Sequence, residues 1–482
     1  MDSAPPTPLA GPAASDDPGL KAGAIGAPGI TALVVAAAAP LTVMTGIAPL
    51  AISIGGIGAP AGYLGAAVVL ALFAVGFTTM TRLTGGSGAF YSYITLGLGR
   101  SAGAGAGILA VVSYNALQIG VYGLLGTQFQ AAFARFTGAD LPWWLFAGAA
   151  VLIVWALGRR GVDVSARLLG VLLVAETLIL VVLVAGVLLR GGRDGLHLTS
   201  FTPSAITAPG MAGILGFCFA AFAGFESTAL YRREARDPDR SIPRATYAAV
   251  AFLGLFYALV VWVVVQALGE AGAPAAAGVD PVNLFFTVMD AYVGTWASDL
   301  MYVLVLTSVL ASQMAFHNAI TRYSYSLAQD GLLPSALAHA HPRYGSPSRA
   351  GAVQSLLAVA VVGAFAVAQA DPYLQLVLLV NTPGAIGVLL LQLITSVAVV
   401  VYLRRQSGTR PGVLLAAGAA TVLLVVVLYY LIRNVAYLTG AETSTNEVLV
   451  AIVPAVFAAG VLAARYLRAR RPEQYARIGS ES

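Results

Sequence analysis

The chain has 482 residues, of which 59% are hydrophobic and 10% are charged, and its mean hydropathy is +0.84. Soluble proteins carry about 25% charged residues, so this composition excludes an ordinary soluble protein and indicates one that lies in a lipid bilayer. The net charge of +5 does not indicate a nucleic-acid partner, because in a membrane protein the distribution of the basic residues is what matters.

The chain opens with a polar tail. Residues 1–25 are rich in Pro, Ala and Asp and are expected to form a disordered cytoplasmic tail. They lack the basic start and short apolar core of a cleaved signal peptide. From Ala22 to Thr81 the chain then contains no Asp, Glu, Lys, Arg or His.

Long apolar runs continue through the rest of the chain. A helix needs about 20 mostly apolar residues to cross the hydrocarbon layer, and only helices and closed barrels satisfy their backbone groups there. The runs are continuous rather than alternating, which predicts helices. We expect twelve spans, at about 29–56, 63–82, 101–133, 142–158, 166–189, 209–231, 245–268, 292–321, 350–369, 373–401, 412–432 and 448–467.

The basic residues are distributed unequally across these spans. With the N-terminus inside the cell, all but four of the 26 Lys and Arg residues fall in cytoplasmic segments. The four exceptions are Arg135, Arg190, Arg193 and Arg433. Cytoplasmic loops of membrane proteins carry an excess of Lys and Arg. The pattern therefore predicts a multi-pass protein of the cell membrane with both termini in the cytoplasm.

The first span contains helix-breaking residues. Pro40, Gly46 and Pro49 lie within it, and proline removes a helical hydrogen bond and disfavours helical geometry at the preceding residue. We expect the helix to break near Met44–Ile47. The alternative is a kinked packing helix.

The sixth span holds a similar interruption at Ala223, Gly224, Phe225 and Glu226. The two interruptions are five spans apart, which predicts two related five-helix repeats, and an odd number of helices per repeat requires the second to be inverted. The expected fold is an all-α membrane protein with twelve transmembrane helices in a 5+5 inverted repeat. The expected units are the two repeats, 26–190 and 191–405, then helices 11 and 12 in 406–468 and a cytoplasmic tail in 469–482.

Three stretches of sequence resemble the amino acid–polyamine–organocation permease superfamily. "GFESTALYRREARDPDRSIPRAT", from Gly224, is similar to the sixth-helix signature of that superfamily, and Ile242–Ala245 matches it in full. "NAITRYSYSLAQDGLLPSALAHAHPRYGSP", from Asn318, resembles the stretch after helix eight, and "GGSGAFYSYITLGLGR", from Gly85, is a weaker match before helix three.

The resemblance implies a LeuT-like fold and a secondary transporter of amino acids, polyamines or related amines. It implies that backbone amides at Thr45–Ile47 meet a substrate carboxylate and that carbonyls at Ala223–Phe225 meet its amine, with the Phe225 ring as part of a gate. The first-helix break of the superfamily is commonly Gly-Ser/Ala-Gly-Ile, whereas this chain has Met44 at the first position. Met44 narrows the expected pocket or changes what it accepts.

Two acids lie within apolar spans. Glu226 follows Gly224 and Phe225, and Glu176 has about ten apolar residues on each side. Ionisable groups at membrane depth are costly and indicate function, so both are candidates for proton coupling and Glu226 also for substrate binding. The alternatives are a helix cap at Glu226 and a structural, hydrogen-bonded acid at Glu176.

The third span carries the polar residues Tyr114, Asn115 and Gln118. Tyr114 and Asn115 are candidates to line the substrate pocket, and interhelical hydrogen bonding is the alternative. Cys218 is the single cysteine, so no internal disulfide is expected. Histidines are scattered, and no metal site, cofactor or catalytic motif is expected.

A small-molecule amine or amino acid, the lipid bilayer and protons are therefore the expected partners. The energy source is proton symport or exchange. The competing hypotheses are a channel and a membrane-embedded enzyme or sensor without transport. The sequence does not identify the substrate, the direction of transport or the oligomeric state.

Overall fold

The computed structural model describes residues 25–84, 90–160, 166–233, 235–406 and 410–479. Within these ranges the chain forms helices joined by turns, with an isolated parallel bridge between Ile25 and Ala235. The expected tail at 1–25 lies outside the described residues except for Ile25. So do residues 85–89 of the weaker motif.

The first part of the chain gives the helices that precede the sixth predicted span. They are α1 (Ala27–Ala38), α2 (Pro40–Gly46), α3 (Ala48–Gly55), α4 (Ala59–Thr84), α5 (Phe90–Leu98), α6 (Arg100–Thr137), α7 (Trp143–Arg159) and α8 (Ala166–Arg190). A short 3₁₀ helix, Gly56–Gly58, joins α3 to α4.

The second part contains more short and irregular elements. Its α-helices are α9 (Pro203–Ile206), α10 (Leu215–Ala220), α11 (Pro238–Leu268), α12 (Ala273–Val279), α13 (Leu284–Tyr292), α14 (Thr295–Gln329), α15 (Ser348–Val367), α16 (Leu378–Arg404), α17 (Pro411–Arg433), α18 (Val435–Thr439), α19 (Thr443–Arg470) and α20 (Pro472–Arg477). The 3₁₀ helices are Thr199–Phe201, Pro209–Ala212, Phe225–Arg233 and Ser335–Leu337, and Pro372–Val377 is a π-helix.

Ten helical segments among the described residues are long and apolar enough to cross a membrane. They are Ala27–Gly46, Ala48–Leu83, Arg100–Thr137, Gly170–Arg190, Pro238–Leu268, Thr295–Gln329, Ser348–Val367, Pro372–Arg404, Pro411–Arg433 and Thr443–Arg470. Two shorter apolar helices, Trp143–Arg159 and Leu215–Ala229, fall where the fourth and sixth spans are predicted. The protein is therefore an all-helical membrane protein.

The outer surface of the bundle is apolar. Leu189, Leu356 and Leu415 are 88%, 70% and 73% exposed, and each lies in a long apolar helix. Such side chains are unfavourable in water and favourable against acyl chains. The core is filled by large aromatic side chains, and Phe73, Phe77 and Phe225 are each at most 2% exposed.

The first predicted span is interrupted most strongly at Ala39. Ala39 has φ 47° and ψ 69°, which is left-handed geometry that a residue with a side chain rarely adopts. Pro40 follows directly and disfavours helical geometry at the residue before it. The helix therefore ends at Ala38 and restarts at Pro40, where the missing N–H of proline costs nothing.

The expected break near Met44–Ile47 is present as a second, milder interruption at Ile47, between α2 and α3. Met44, Thr45 and Gly46 lie in α2, and only Ile47 interrupts the helix. Its φ of −112° and ψ of −37° stay in the right-handed region, and its N–H bonds to the Val43 carbonyl at 2.8 Å. Pro49 has little effect because it lies in the first turn of α3, where no N–H is needed.

The sixth predicted span is broken at Gly224, as expected. α10 ends at Ala220, four residues form turns, and a 3₁₀ helix begins at Phe225. Gly224 has φ +105°, a conformation that glycine adopts without a steric penalty. The turns at the break keep tight backbone bonds, since the N–H groups of Ala223 and Phe225 donate to the carbonyls of Ala220 and Phe222 at 3.0 and 3.1 Å.

Candidate functional site

The two helix breaks lie against each other. A methyl group placed on Gly224 would lie 3.8 Å from the Cβ of Ala37, which is two residues before the break at Ala39. We call Ala37–Thr42 together with Ala223–Glu226 the break pair. The chain ends of two interrupted helices therefore meet inside the bundle, where water does not replace lost backbone hydrogen bonds.

Glu226 ties the second break to α6. Its side chain is 3% exposed, and its Oε1 accepts a hydrogen bond from the Tyr114 hydroxyl. Its Oε2 accepts from the backbone N–H of Gly224 at 3.1 Å. The acid therefore caps the break, and its roles in substrate binding and proton coupling stay predictions.

Glu176 lies at the first break. It is 4% exposed, and its Oε2 accepts from the Ser308 hydroxyl at 2.8 Å. Ser308 in turn accepts from the Thr42 hydroxyl at 2.9 Å. Thr42 belongs to the first turn of α2, so this chain of hydrogen bonds connects α8 and α14 to the helix that starts at the break. The structure thus places one buried acid at each break.

Ala223 and Phe225 lie on either side of Gly224 and have different surroundings. Ala223 borders a cavity of about 10 Å³ between α6, α10 and α16, which also contacts Gln392. This volume holds roughly one water molecule. Phe225 is fully buried, and its ring packs edge-on against Phe73 with centroids 6.0 Å apart. The structure therefore has the break pair in a closed arrangement.

Tyr114 and Asn115 are neighbours on α6 with different roles. The Tyr114 ring packs beside Tyr323 with centroids 6.1 Å apart, and its hydroxyl reaches Glu226. The Asn115 Nδ2 donates to the Val111 carbonyl of its own helix at 2.7 Å. The buried Oδ1 of Asn115 has no hydrogen-bond partner among the described residues. Tyr114 is thus part of the site, and Asn115 offers one open acceptor.

Met44, Thr45, Gly46 and Ile47 lie beyond the break, within or just after α2. Met44 is fully buried, and the Thr45 hydroxyl bonds back to the Leu41 carbonyl at 2.9 Å. The Gly46 carbonyl accepts from the Tyr373 hydroxyl at 2.6 Å. These four residues lie at the interruption at Ile47 and outside the break pair, and their contact with a substrate stays a prediction.

Sequence reasoning missed Ala39, Thr42 and Ser308. The signal for Ala39 was Pro40, which disfavours a helical residue before it, but a run of four alanines suggested strong helix formation. The sequence around Ser308 gives no sign of its role, because a single serine in an apolar helix commonly bonds to the backbone of its own helix. Only the packing of α8 against α14 gives it a role.

Comparison with known proteins identifies the family of the chain. A protein-family model described as amino acid permease matches residues 26–459. That family consists of transporters and not of enzymes, so the prediction that the chain is no enzyme is confirmed, as is the superfamily resemblance.

Individual relatives are distant. An uncharacterized transporter of Mycobacterium tuberculosis (strain H37Rv) is 30% identical over 218 residues, covering 45% of this chain and 47% of that protein. The L-asparagine permease of Escherichia coli K12 is 29% identical over 297 residues, or 58% and 56% of the two chains. The low-affinity putrescine importer of the same strain is 23% identical over 301 residues, or 60% and 63%.

These matches span between about half and two thirds of the relatives' own length. The family model covers most of the chain and includes both breaks and both buried acids. On that match, the chain belongs to the amino acid permease family.

Proposed function

We propose that the protein is a secondary transporter of amino acids, polyamines or related organic amines that works by alternating access around the break pair. The observation that carries this proposal is the contact between the two helix breaks, each with a buried carboxyl group beside it. Broken helices at mid-membrane offer backbone dipoles to a small polar ligand.

The amine is the part of the substrate for which the site is best suited. Glu226 and Glu176 are hydrogen-bond acceptors when ionised, and an ammonium group supplies donors to such acceptors. The relatives named above include an asparagine permease and a putrescine importer, whose named substrates share an amino group. We infer that Ala223, Gly224, Phe225 and Glu226 contact the substrate amine, and that Tyr114 and Asn115 line the same space.

We propose that a substrate carboxylate meets the interruption at Ile47, because the family resemblance implies contact with the amides of Thr45–Ile47. The start of α2 is less suited, because Pro40 has no N–H and the Val43 N–H donates to the Ala39 carbonyl at 3.0 Å. Glu176 is linked to that turn through Ser308 and Thr42, and a second carboxylate beside it is unfavourable. The proposed carboxylate contacts therefore remain Met44, Thr45, Gly46 and Ile47.

Proton coupling is proposed for Glu176 and Glu226, with exchange as the alternative. A buried carboxyl group that loses its partners is more stable when neutral. Movement of the two breaks relative to α6 and α14 would separate Glu226 from Tyr114, and it would separate Thr42 from Ser308, the donor to Glu176. Each step changes the environment of an acid, which is what coupling of proton uptake to substrate movement requires.

We further propose twelve spans, arranged as inverted repeats 26–190 and 191–405 followed by helices 11 and 12 in 406–468 and a tail in 469–482. The position of the breaks in the first and sixth predicted spans supports this arrangement. The proposed location is the cell membrane, with both termini on the arginine-rich cytoplasmic side. Within the tail, α20 packs against the end of α19, and Ile478 is 1% exposed.

A thermal-shift screen of the purified protein against amino acids and polyamines tests the proposal. A ligand that binds the folded state raises the melting temperature by mass action. We expect at least one amine to raise the melting temperature of the wild type and of the control Glu442→Gln, because the Glu442 side chain is exposed. The same amine should raise the melting temperature of Glu226→Gln much less. Equal stabilisation of all three proteins would refute the proposed amine contact.

A channel is the competing function. The closed break pair and the roughly 10 Å³ cavity beside Ala223 argue against a continuous pore in this conformation. Counterflow separates the two functions, because a carrier exchanges labelled for unlabelled substrate, whereas a channel equilibrates it without exchange.

A further inference from the structure

Two adjoining cavities lie at the end of the bundle where α7 ends and α15 begins. Their volumes are about 260 Å³ and 390 Å³, and Trp155, Arg159 and Tyr344 line both. They are separate from the break pair, and the transport mechanism proposed above does not use them.

The lining of these cavities is strongly basic. Arg159 and Arg322 line the first cavity, and Arg159, Arg160 and Arg343 line the second. No acidic side chain lines either cavity among the described residues. The ion pairs among the described residues involve Arg135, Arg232 and Arg240. None of them involves Arg159, Arg160 or Arg343. Among the described residues, Arg159, Arg160 and Arg343 thus have no carboxylate within ion-pair distance.

The start of α15 lines the first cavity, and its first turn carries a basic residue where an acidic one is favourable. Its N-cap residue is Pro347, no side chain caps the helix, and its first turn contains Arg349 and no acid. A basic residue is unfavourable at the positive end of a helix, and the first amides have no partner within the helix. A bound anion would remove both costs.

Buried His317 is an independent sign of a ligand. It is 3% exposed, borders the first cavity, and forms no hydrogen bond with any residue in the described ranges. A Cβ at Gly158 would lie 2.5 Å from its Nε2, and a Cβ at Gly351 would lie 3.1 Å from it. The two glycines therefore make room for an imidazole whose polar atoms have no protein partner, although buried polar groups are normally hydrogen-bonded.

His341 adds a donor to the second cavity. Its Nδ1 accepts a hydrogen bond from the Arg343 backbone N–H at 3.2 Å. A neutral imidazole that accepts at one nitrogen carries its proton on the other. The Nε2–H of His341 is therefore a donor, as are the guanidinium groups around it.

We propose that the two cavities bind a phosphate group, carried either by the headgroup of an anionic phospholipid or by a small soluble phosphate. Arginine guanidinium groups and helix N-termini are the groups that proteins use for phosphate. Trp155 and Tyr344 are residue types enriched at membrane interfaces, and basic pockets on the cytoplasmic side of helices bind anionic headgroups. This site is distinct from the substrate site.

The test uses the full-length protein in nanodiscs and measures its melting temperature. One arm compares neutral phosphatidylcholine with a mixture containing phosphatidylglycerol, and the other adds inorganic phosphate to neutral nanodiscs against chloride at equal ionic strength. The test variant is R159Q/R343Q. The matched control is R404Q/R410Q, which removes two exposed arginines that do not line either cavity.

We expect the melting temperature to rise in at least one arm. R404Q/R410Q should keep this rise, and R159Q/R343Q should lose it, because its affinity for the phosphate group falls about tenfold or more. A shift with phosphatidylglycerol alone assigns the site to lipid, and a shift with phosphate alone assigns it to a soluble anion. No shift in either arm, or the same loss in both variants, overturns the proposal.

Discussion

Gly224 and Glu226 show how single residues build the break pair. The φ of +105° at Gly224 turns its N–H toward Glu226, which accepts it at 3.1 Å while also accepting from Tyr114. On the other side, Thr42 donates to Ser308, and Ser308 donates to Glu176. Each break is therefore fixed by a short polar network with neighbouring helices, through Ser308 and Glu176 at the first break and through Tyr114 at the second.

Replacing Gly224 with alanine tests whether the protein requires the positive φ at this position. A Cβ at this position has room, since its nearest neighbour is 3.8 Å away, so the cost comes from the left-handed conformation, about 1–2 kcal/mol. We expect Gly224→Ala to lower the melting temperature and abolish uptake. The control is Gly65→Ala in α4, where a Cβ also meets nothing within 4 Å and the helix gains stability. Equal effects of the two changes would contradict the role of the positive φ.

Removing the Thr42 hydroxyl tests the network at the first break. Thr42→Val keeps the shape of the side chain but leaves Ser308 without its donor, which costs about 1 kcal/mol for a buried hydrogen bond. We expect uptake to fall several-fold. Thr78→Val is the matched control, because Thr78 is also buried and bonds only within its own helix, to the Ala74 carbonyl. If both variants transport like the wild type, the network has no part in transport.

At the scale of the element, the length of the apolar runs predicted the membrane helices. The positions of glycine and proline did not fully predict where those helices break. The span predicted at 245–268 is observed as α11 from Pro238 to Leu268, because hydropathy marks only the lipid-crossing part of a helix. Gly224 was recognised because glycine next to an acid stands out in an apolar run. Ala39 was not, since its left-handed backbone depends on Pro40 and on packing against the second break.

The two prolines of the first span give a direct comparison. Pro40→Ala restores an N–H and removes the clash that disfavours helical geometry at Ala39, so we expect α1 and α2 to join and uptake to be lost while the protein still folds. Pro49→Ala changes a first-turn position of α3, so uptake should change little. Uptake assays on both variants, with circular dichroism for folding, check this. The reverse ranking would show that transport depends on the interruption at Ile47 and not on the one at Ala39.

At the scale of the whole molecule, the uneven distribution of arginine predicts which loops share a side of the membrane. Cys218 is the single cysteine of the chain and is buried, so a Cys218→Ala background accepts single reporter cysteines. We expect Asp140→Cys and Glu442→Cys to react with an impermeant maleimide in intact cells, and Ser335→Cys and Glu473→Cys to react only after lysis. Labelling of Asp140→Cys and Ser335→Cys from the same side would contradict the twelve-span arrangement.

The central claim is that the break pair binds and carries an organic amine, and counterflow in proteoliposomes tests it most directly. Vesicles loaded with the unlabelled amine that stabilises the protein are diluted into a trace of the labelled form. We predict transient accumulation of label with the wild type and with Glu442→Gln, and little accumulation with Glu226→Gln. Accumulation by Glu226→Gln at the wild-type rate, or label that equilibrates without accumulating in any protein, would contradict the account.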